Sequence, residues 1–250
     1  MTKVDLITGF LGSGKTTFLK KYADHLLKAG ERICILEFDY GAVNVDMMLL
    51  QQFNDKCDLE MVAGGCDYDC HLRRFKTKLI SMGMKKYDRV IIEPSGIFDI
   101  DEFFDAINED PICDWYDVGS VISIVDSNLP IKLSNDAEYI LKSQIFSSGI
   151  VVFSKMEDKE EKDVLNLIER LGLDNDRVIA KPYDKFNESD YLRISKASYR
   201  TSIIEKRNII DNNFFKSIYF LNKNLTKKAI EDKASLLFQD KKYGEVIRIK

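Results

Sequence analysis

Long apolar runs are missing from this chain. No stretch approaches the ~20 residues that a bilayer crossing needs, so no membrane span is expected. No targeting segment is expected either: Met1–Lys3 lead straight into a strand-like run, and Asp5 interrupts it. There is no excess of positive charge. Lys and Arg total 37 against 41 Asp and Glu, a net charge of −4, and no nucleic-acid footprint follows from that balance. Proline is scarce at 4 residues, and neither a low-complexity tract nor an internal repeat is visible. Histidine is scarcer still, with His25 and His71 alone. The 5 cysteines are an odd number, which argues for free or metal-bound thiols in a reducing cytoplasm rather than a disulfide framework.

The remaining composition is that of a protein with a large core. Hydrophobic residues make up 45% of 250, enough for one α/β domain with an appendage, or for two domains. One stretch organises the rest. Gly9-Phe10-Leu11-Gly12-Ser13-Gly14-Lys15-Thr16-Thr17 fits G-x-x-x-x-G-K-[ST], the phosphate-binding loop. Val4, Leu6 and Ile7 before it read as a buried strand. Phe18, Leu19, Tyr22, Ala23, Leu26 and Leu27 after it recur at helical spacing. Glycines let backbone N–H groups wrap a phosphate, and the new helix adds its positive dipole end. Gly9, Gly12, Ser13, Gly14, Lys15, Thr16 and Thr17 are therefore read as nucleotide-binding. Lys15 supplies charge to the β- and γ-phosphates, and Thr16 offers its hydroxyl to Mg²⁺.

Further along, apolar runs alternate with amphipathic ones. Strands are expected near residues 32–38, 59–62, 89–93, 118–125, 150–153 and 177–180, with helices near 47–53, 71–85, 100–107, 137–146 and 159–171. That alternation implies βαβ units: an α/β, doubly wound, mainly parallel sheet with helices on both faces. Residues 185–208 are polar and read as a boundary. Beyond it, a strand at 214–221, a helix at 226–238 and a strand at 243–249 suggest a small truncated α/β piece. The division expected is 1–200 and 207–250.

Three stretches carry further chemistry. Glu93-Pro94-Ser95-Gly96 follows a buried strand, where a carboxylate can hold Mg²⁺ or its water and the Gly96 N–H can sense a γ-phosphate. A plain turn would also fit. Ser154-Lys155-Met156-Glu157 stands where Asn-Lys-x-Asp reads guanine. Glu157 would accept from the base, and the Lys155 stem would pack on it. A solvated loop is the alternative. Cys66-Asp67-Tyr68-Asp69-Cys70-His71 gathers soft and hard ligands that suit Zn²⁺ or another late divalent ion; ordinary free thiols at a helix start are the alternative. Cys34, Cys57 and Cys113 read as packing.

These stretches together resemble the CobW-like P-loop GTPases, the metallochaperone group that includes HypB and UreG. GFLGSGKTT at Gly9–Thr17 is close to the family's GFLGAGKTT. Glu93–Gly96 matches its E-x-S-G element, Val125-Asp126 its strand end, and Gln144–Lys155 its run from Gln to Asn-Lys. The resemblance spans about residues 1–182. It implies that Lys15, Thr16 and Glu93 serve phosphates and Mg²⁺, and that Ser154, Lys155 and Glu157 stand in for the guanine tetrad. Residues 39–46 (DYGAVNVD) resemble the family's switch loop, with Asp39 as a Mg²⁺ or switch residue and Ala42 where a second Glu is usual. The metal motif departs furthest: of G-C-x-C-C only Cys66 matches, so a mixed site from Cys66, Cys70 and Asp69 or His71 is expected. The histidine-rich tail common in the family is absent. The function implied is a slow, Mg²⁺-dependent GTPase whose nucleotide state controls delivery of zinc, another metal or a metallocofactor to a client protein, with a homodimer left open. Two rivals stand beside it: an ATP-using P-loop kinase or synthetase, and a nucleotide-gated scaffold with no metal of its own.

Overall fold

β-Branched and large apolar residues dominate the strand runs, and their alternation decides which helix each strand faces. Along β1 (Thr2–Thr8), Val4 and Leu6 point to one face and Ile7 to the other. The same parity holds in β2 (Ile33–Asp39) and β4 (Arg89–Pro94): Cys34, Leu36, Phe38, Val90 and Ile92 share the first face, and Ile33, Ile35 and Ile91 the second. Strands apolar on both sides need cover on both sides, which is the condition for a parallel sheet between two helical layers.

The computed structural model describes residues 1–39, 45–63, 68–130, 132–201 and 224–239. After β1 come α1 (Lys15–Lys28), β2, α2 (Val45–Leu50), β3 (Asp58–Ala63), α3 (Tyr68–Gly83), β4, α4 (Ile100–Ile107) and β5 (Tyr116–Asp126). Then follow α5 (Asn135–Ser147), β6 (Ile150–Ser154), α6 (Glu161–Arg170), β7 (Val178–Ile179), α7 (Glu188–Ser195) and α8 (Lys227–Gln239). The sheet order is β3-β2-β4-β1-β5-β6-β7, and every pairing among its described strands is parallel. The sheet is thus parallel throughout, where the sequence suggested mainly parallel. Residues of α3 and α4, among them Phe75, Leu79, Met82, Phe103 and Ile107, cover the first face. Phe18, Leu19, Tyr22 and Leu26 of α1 cover the second. The chain crosses from β4 to β5 over the central β1. The loop after β1 therefore opens at a switch point, where α/β sheets bind ligands.

Asp5 is more than an interruption in an apolar run. It is fully buried and accepts hydrogen bonds from Tyr22 Oη (2.6 Å), Arg89 Nη1 (2.8 and 2.7 Å) and the Ser120 N–H (2.7 Å). Arg89 Nε continues to Glu31 at 2.9 Å. Burial pushes the Asp5 carboxyl above its ordinary value and Arg89 opposes that rise. A charge this deep is tolerated only when paired and hydrogen-bonded.

One segment corrects the sequence reading. The polar stretch from residue 185 contains α7, opened by a capping box in which Asn187 accepts from the Asp190 N–H and Asp190 from the Asn187 N–H. Its Ile194 is fully buried in the α1-side core. The polar residues that fill most of α7 hid a helix anchored by Ile194 and by Tyr191, whose ring stacks on His25 of α1. The chain divides into two compact units, Met1–Glu205 and Lys206–Lys250. In the second unit α8 is described; the expected strands at 214–221 and 243–249 lie outside the described residues. No helix among the described residues is long and apolar enough to cross a membrane.

Candidate nucleotide-binding site

The phosphate loop joins β1 to α1 through backbone that only glycine adopts cheaply. Gly9 has φ 144°, and a Cβ there would lie 2.3 Å from the Ile124 carbonyl oxygen of β5. Gly12 and Gly14 also have positive φ, at 75° and 91°, and Gly14 is the N-cap of α1 with no side-chain cap. The orphan N–H groups of this helix start are consequently left to a ligand. Lys15 curls back so that Nζ donates to the Gly9 carbonyl at 3.0 Å. Thr16 Oγ1 donates to Glu93 Oε1 at 2.8 Å. Ser13, Lys15 and Thr16 are buried in the loop, and Thr17 is exposed on the first turn of α1.

Glu93, near the end of β4, is buried at 3% exposure. Its register partner on β2 is Glu37, also buried, so two carboxylates lie side by side near the strand ends on the face that α1 covers. The sequence reading missed Glu37 because it sits inside an apolar run. The signal was there: it continues the Ile33, Ile35 parity that faces α1. Gly96, three residues past Glu93, is seated on the phosphate loop itself. A Cβ at Gly96 would lie 2.5 Å from the Leu11 nitrogen, so hydrogen alone fits. The Gly96 carbonyl accepts from Gln144 Nε2 of α5 at 3.2 Å.

The third part of the site follows β6. Ser154 Oγ donates to the Ser13 carbonyl at 2.6 Å, tying this loop to the phosphate loop. Lys155 takes a left-handed φ of 55° and its ammonium pairs with Asp126 at the end of β5. Ser127 Oγ closes the turn onto the Lys155 carbonyl at 2.6 Å. Glu157 is exposed. Tyr183, after β7, stands edge-on to Phe18 of α1 with ring centroids 5.7 Å apart. Its buried hydroxyl faces Ser154, whose Oγ already donates to the Ser13 carbonyl, and lies about one van der Waals contact (4.0 Å) from where a Gly14 Cβ would project. Burial pushes the Tyr183 phenol well up, with Ser154 opposing and the Glu157 and Asp126 carboxylates adding to the rise. Sequence reasoning missed Tyr183, since a lone tyrosine after a short strand carries no pattern.

The structure thus brings Lys15, Thr16, Glu93, Gly96 and Ser154 to one end of the sheet, with Lys155 and Glu157 at its rim. The expected soft-metal residues are less fully placed. Cys66 lies outside the described residues, as do residues 40–44 and the side chains of Asp39 and Asp69. Cys70 is half-buried on the first turn of α3. His71 is fully buried, its ring centroid 4.3 Å from that of Phe38, one residue before Asp39 on β2. Among the described residues no group of three or more His, Cys, Asp or Glu is placed to hold a metal ion.

Residues 3–177 match the CobW/HypB/UreG nucleotide-binding domain. The chain is 28% identical over 158 residues to the zinc chaperone YeiR of Escherichia coli, covering 63% of this chain and 47% of that protein. It is 29% identical over 187 residues to the zinc chaperone YjiA of the same organism, covering 70% and 55%. It therefore spans about half the length of these curated relatives. Among solved structures, the signal recognition particle receptor FtsY from Elizabethkingia anophelis with GDP superposes with a TM-score of 0.51 at 14% identity, covering 77% of this chain and 63% of that one. Zn(II)-bound YjiA GTPase from E. coli superposes at 0.44 with 20% identity, covering 81% and 67%. With the matched domain spanning the phosphate loop, Glu93–Gly96 and Ser154–Glu157, the chain belongs to the CobW/HypB/UreG family of P-loop proteins.

Proposed function

We propose that this protein binds GTP with Mg²⁺, hydrolyses it slowly, and couples nucleotide state to delivery of zinc or another late divalent metal, or a metallocofactor, to a client protein. The observation that carries the nucleotide reading is the Ser154–Ser13 hydrogen bond, which makes the base-reading loop and the phosphate loop one unit. The zinc reading is supported by relatives named zinc chaperones and by Cys66 and Cys70 in this chain.

The residues fit the chemistry. Lys15 exchanges the Gly9 carbonyl for β- and γ-phosphate oxygens, a gain from a neutral acceptor to a charged one. The Thr16 hydroxyl and Glu93 carboxylate are an oxygen donor set suited to Mg²⁺ and its waters. When bound, that ion neutralises charge developing on the phosphates. Positioning and charge neutralisation are most of what phosphoryl transfer to water requires. The segment from Cys66 to Cys70 lies in sequence between the β2 end and β4, so a metal there could bias the loops that face a γ-phosphate.

Zinc titration of wild type and the Cys66→Ser/Cys70→Ser variant, with and without non-hydrolysable GTP, tests the coupling. Weaker zinc binding in the variant, and a nucleotide-dependent zinc affinity in the wild type, are expected. Coupling must be reciprocal, so zinc must shift GTP affinity by the same factor. Identical titrations for both proteins would contradict the metal site and favour the scaffold reading.

A further inference from the structure

Gln144, on α5, is a polar side chain with no exposure. Its Nε2 lies 3.2 Å from the Gly96 carbonyl oxygen. A carbonyl can only accept, so the amide orientation is forced: NH₂ faces Gly96 and Oε1 faces away. Oε1 is itself buried and meets no hydrogen-bond partner among the described residues. Burying a primary amide half-satisfied is costly, and a Leu or Met would fill the space on α5 more cheaply. The hydrogen bond to Gly96 is therefore where the role of this amide has to be sought. That bond falls on a residue pressed hard against the phosphate loop, with the Leu11 nitrogen 2.5 Å from where a Gly96 Cβ would be. The neighbouring Ser95 N–H is fixed as well, donating to the Phe38 carbonyl of β2 at 2.8 Å. The Glu93–Gly96 turn is thus held from β2 on one side and from α5 on the other.

We propose that Gln144 is a positioning residue for γ-phosphate recognition: its amide holds Gly96 against the phosphate loop, so that the turn distinguishes a nucleoside triphosphate from a diphosphate and passes the difference to α5. The proposal rests on the nucleotide reading above and adds to it which residue sets triphosphate preference. α5 leads directly into β6 and Ser154, so a shift at Gly96 would reach the base-reading loop through one rigid element. On the nucleotide reading, Lys15 and the loop N–H groups would hold the β-phosphate, and the Gly96 turn would face the γ-phosphate.

The test is calorimetric affinity for Mg²⁺·GDP and for Mg²⁺ with β,γ-imido-GTP, on the full chain. In Gln144→Met, GDP affinity should stay within about twofold of wild type, while triphosphate affinity falls about five- to tenfold, the worth of one buried hydrogen bond. Gln144→Glu adds a readout that mere packing would not move. Ionised, the introduced carboxylate presents only acceptors to the Gly96 carbonyl; protonated, it can donate. The triphosphate deficit of this variant relative to wild type should therefore shrink as pH is lowered from about 8 towards about 6, the range into which burial lifts a carboxyl. Equal loss of GDP and triphosphate binding, or no loss of either, would overturn the proposal. A pH-independent deficit in Gln144→Glu would overturn it too. Wild-type protein that binds neither guanine nucleotide would overturn the nucleotide reading, and this inference with it.

Discussion

On the proposed reading, Lys15 and Thr16 act by exchanging partners. The ammonium donates to the Gly9 carbonyl and the hydroxyl to Glu93, and phosphate oxygens and Mg²⁺ would take over these two contacts. Lys15→Ala should consequently lose tight nucleotide binding, by at least about 100-fold from the loss of a charge-assisted contact to phosphate. Its far-UV circular dichroism should remain that of the wild type. Unchanged nucleotide affinity would contradict the phosphate-loop assignment. Tyr183→Phe makes the opposite kind of prediction. Removing a buried hydroxyl whose polar neighbour, Ser154, already donates to the Ser13 carbonyl should leave the unfolding midpoint of the free protein unchanged or slightly raised. A clear drop would mean that the hydroxyl is satisfied in solution. The placement of Lys15 and Thr16 was legible in the sequence because it is set by spacing within one short loop. Glu37 and Tyr183 were not, and Gln144 showed only as part of a resemblance with no role attached, because each gains its meaning from a partner on another element: Glu93 in register, the Gly14–Ser154 junction, and the Gly96 carbonyl.

Elements show the same division. The strands were visible as apolar runs, whereas α7 rests on a capping box, a buried isoleucine and a stacked tyrosine, and reads as a polar linker. The charge network that ties β1 to α1 and β4 is a feature of elements too. Asp5 interrupts its strand pattern, yet Arg89, Tyr22 and Ser120 satisfy it in the interior. Breaking such a buried pair from one side should be severe: Arg89→Met should destabilise by about 3–5 kcal/mol, measured by urea unfolding. At the sheet edge, β3 is pinned by charge. The Tyr87 hydroxyl and Lys85 hold Asp58 below the usual carboxylate range, and despite partial burial Lys78 and Lys85 do the same for Glu60. Carboxyls depressed in the fold stabilise it above their unfolded pKa of about 4, and that contribution is lost as pH falls through the folded values. The unfolding midpoint should hold steady from neutral pH to about 5 and fall below about 4. Asp58→Asn/Glu60→Gln should flatten part of that fall. An identical acid profile in the double variant would contradict it.

For the whole molecule, the topology does the positioning. Placing β4 and β5 on either side of β1 brings the phosphate loop, the Glu93–Gly96 turn and the Ser154–Glu157 loop to one end of a parallel sheet. The Ser154–Ser13 bond alone joins residues 141 positions apart in sequence. That juxtaposition followed from alternating strand and helix signals, and family membership agrees with it. What the pattern could not fix is the base preference, since Ser154 and Glu157 stand where Asn and Asp are usual. Ser154 keeps the tie to the phosphate loop; Glu157 would have to reach a base from an exposed position. Calorimetric titration of the protein with Mg²⁺·GTP and, separately, Mg²⁺·ATP tests this most directly. GTP should bind at least about tenfold tighter, the difference of one charge-assisted hydrogen-bonded pair at the base. Equal affinities, or tighter ATP, would contradict guanine recognition by Glu157 and put the ATP-using reading in its place.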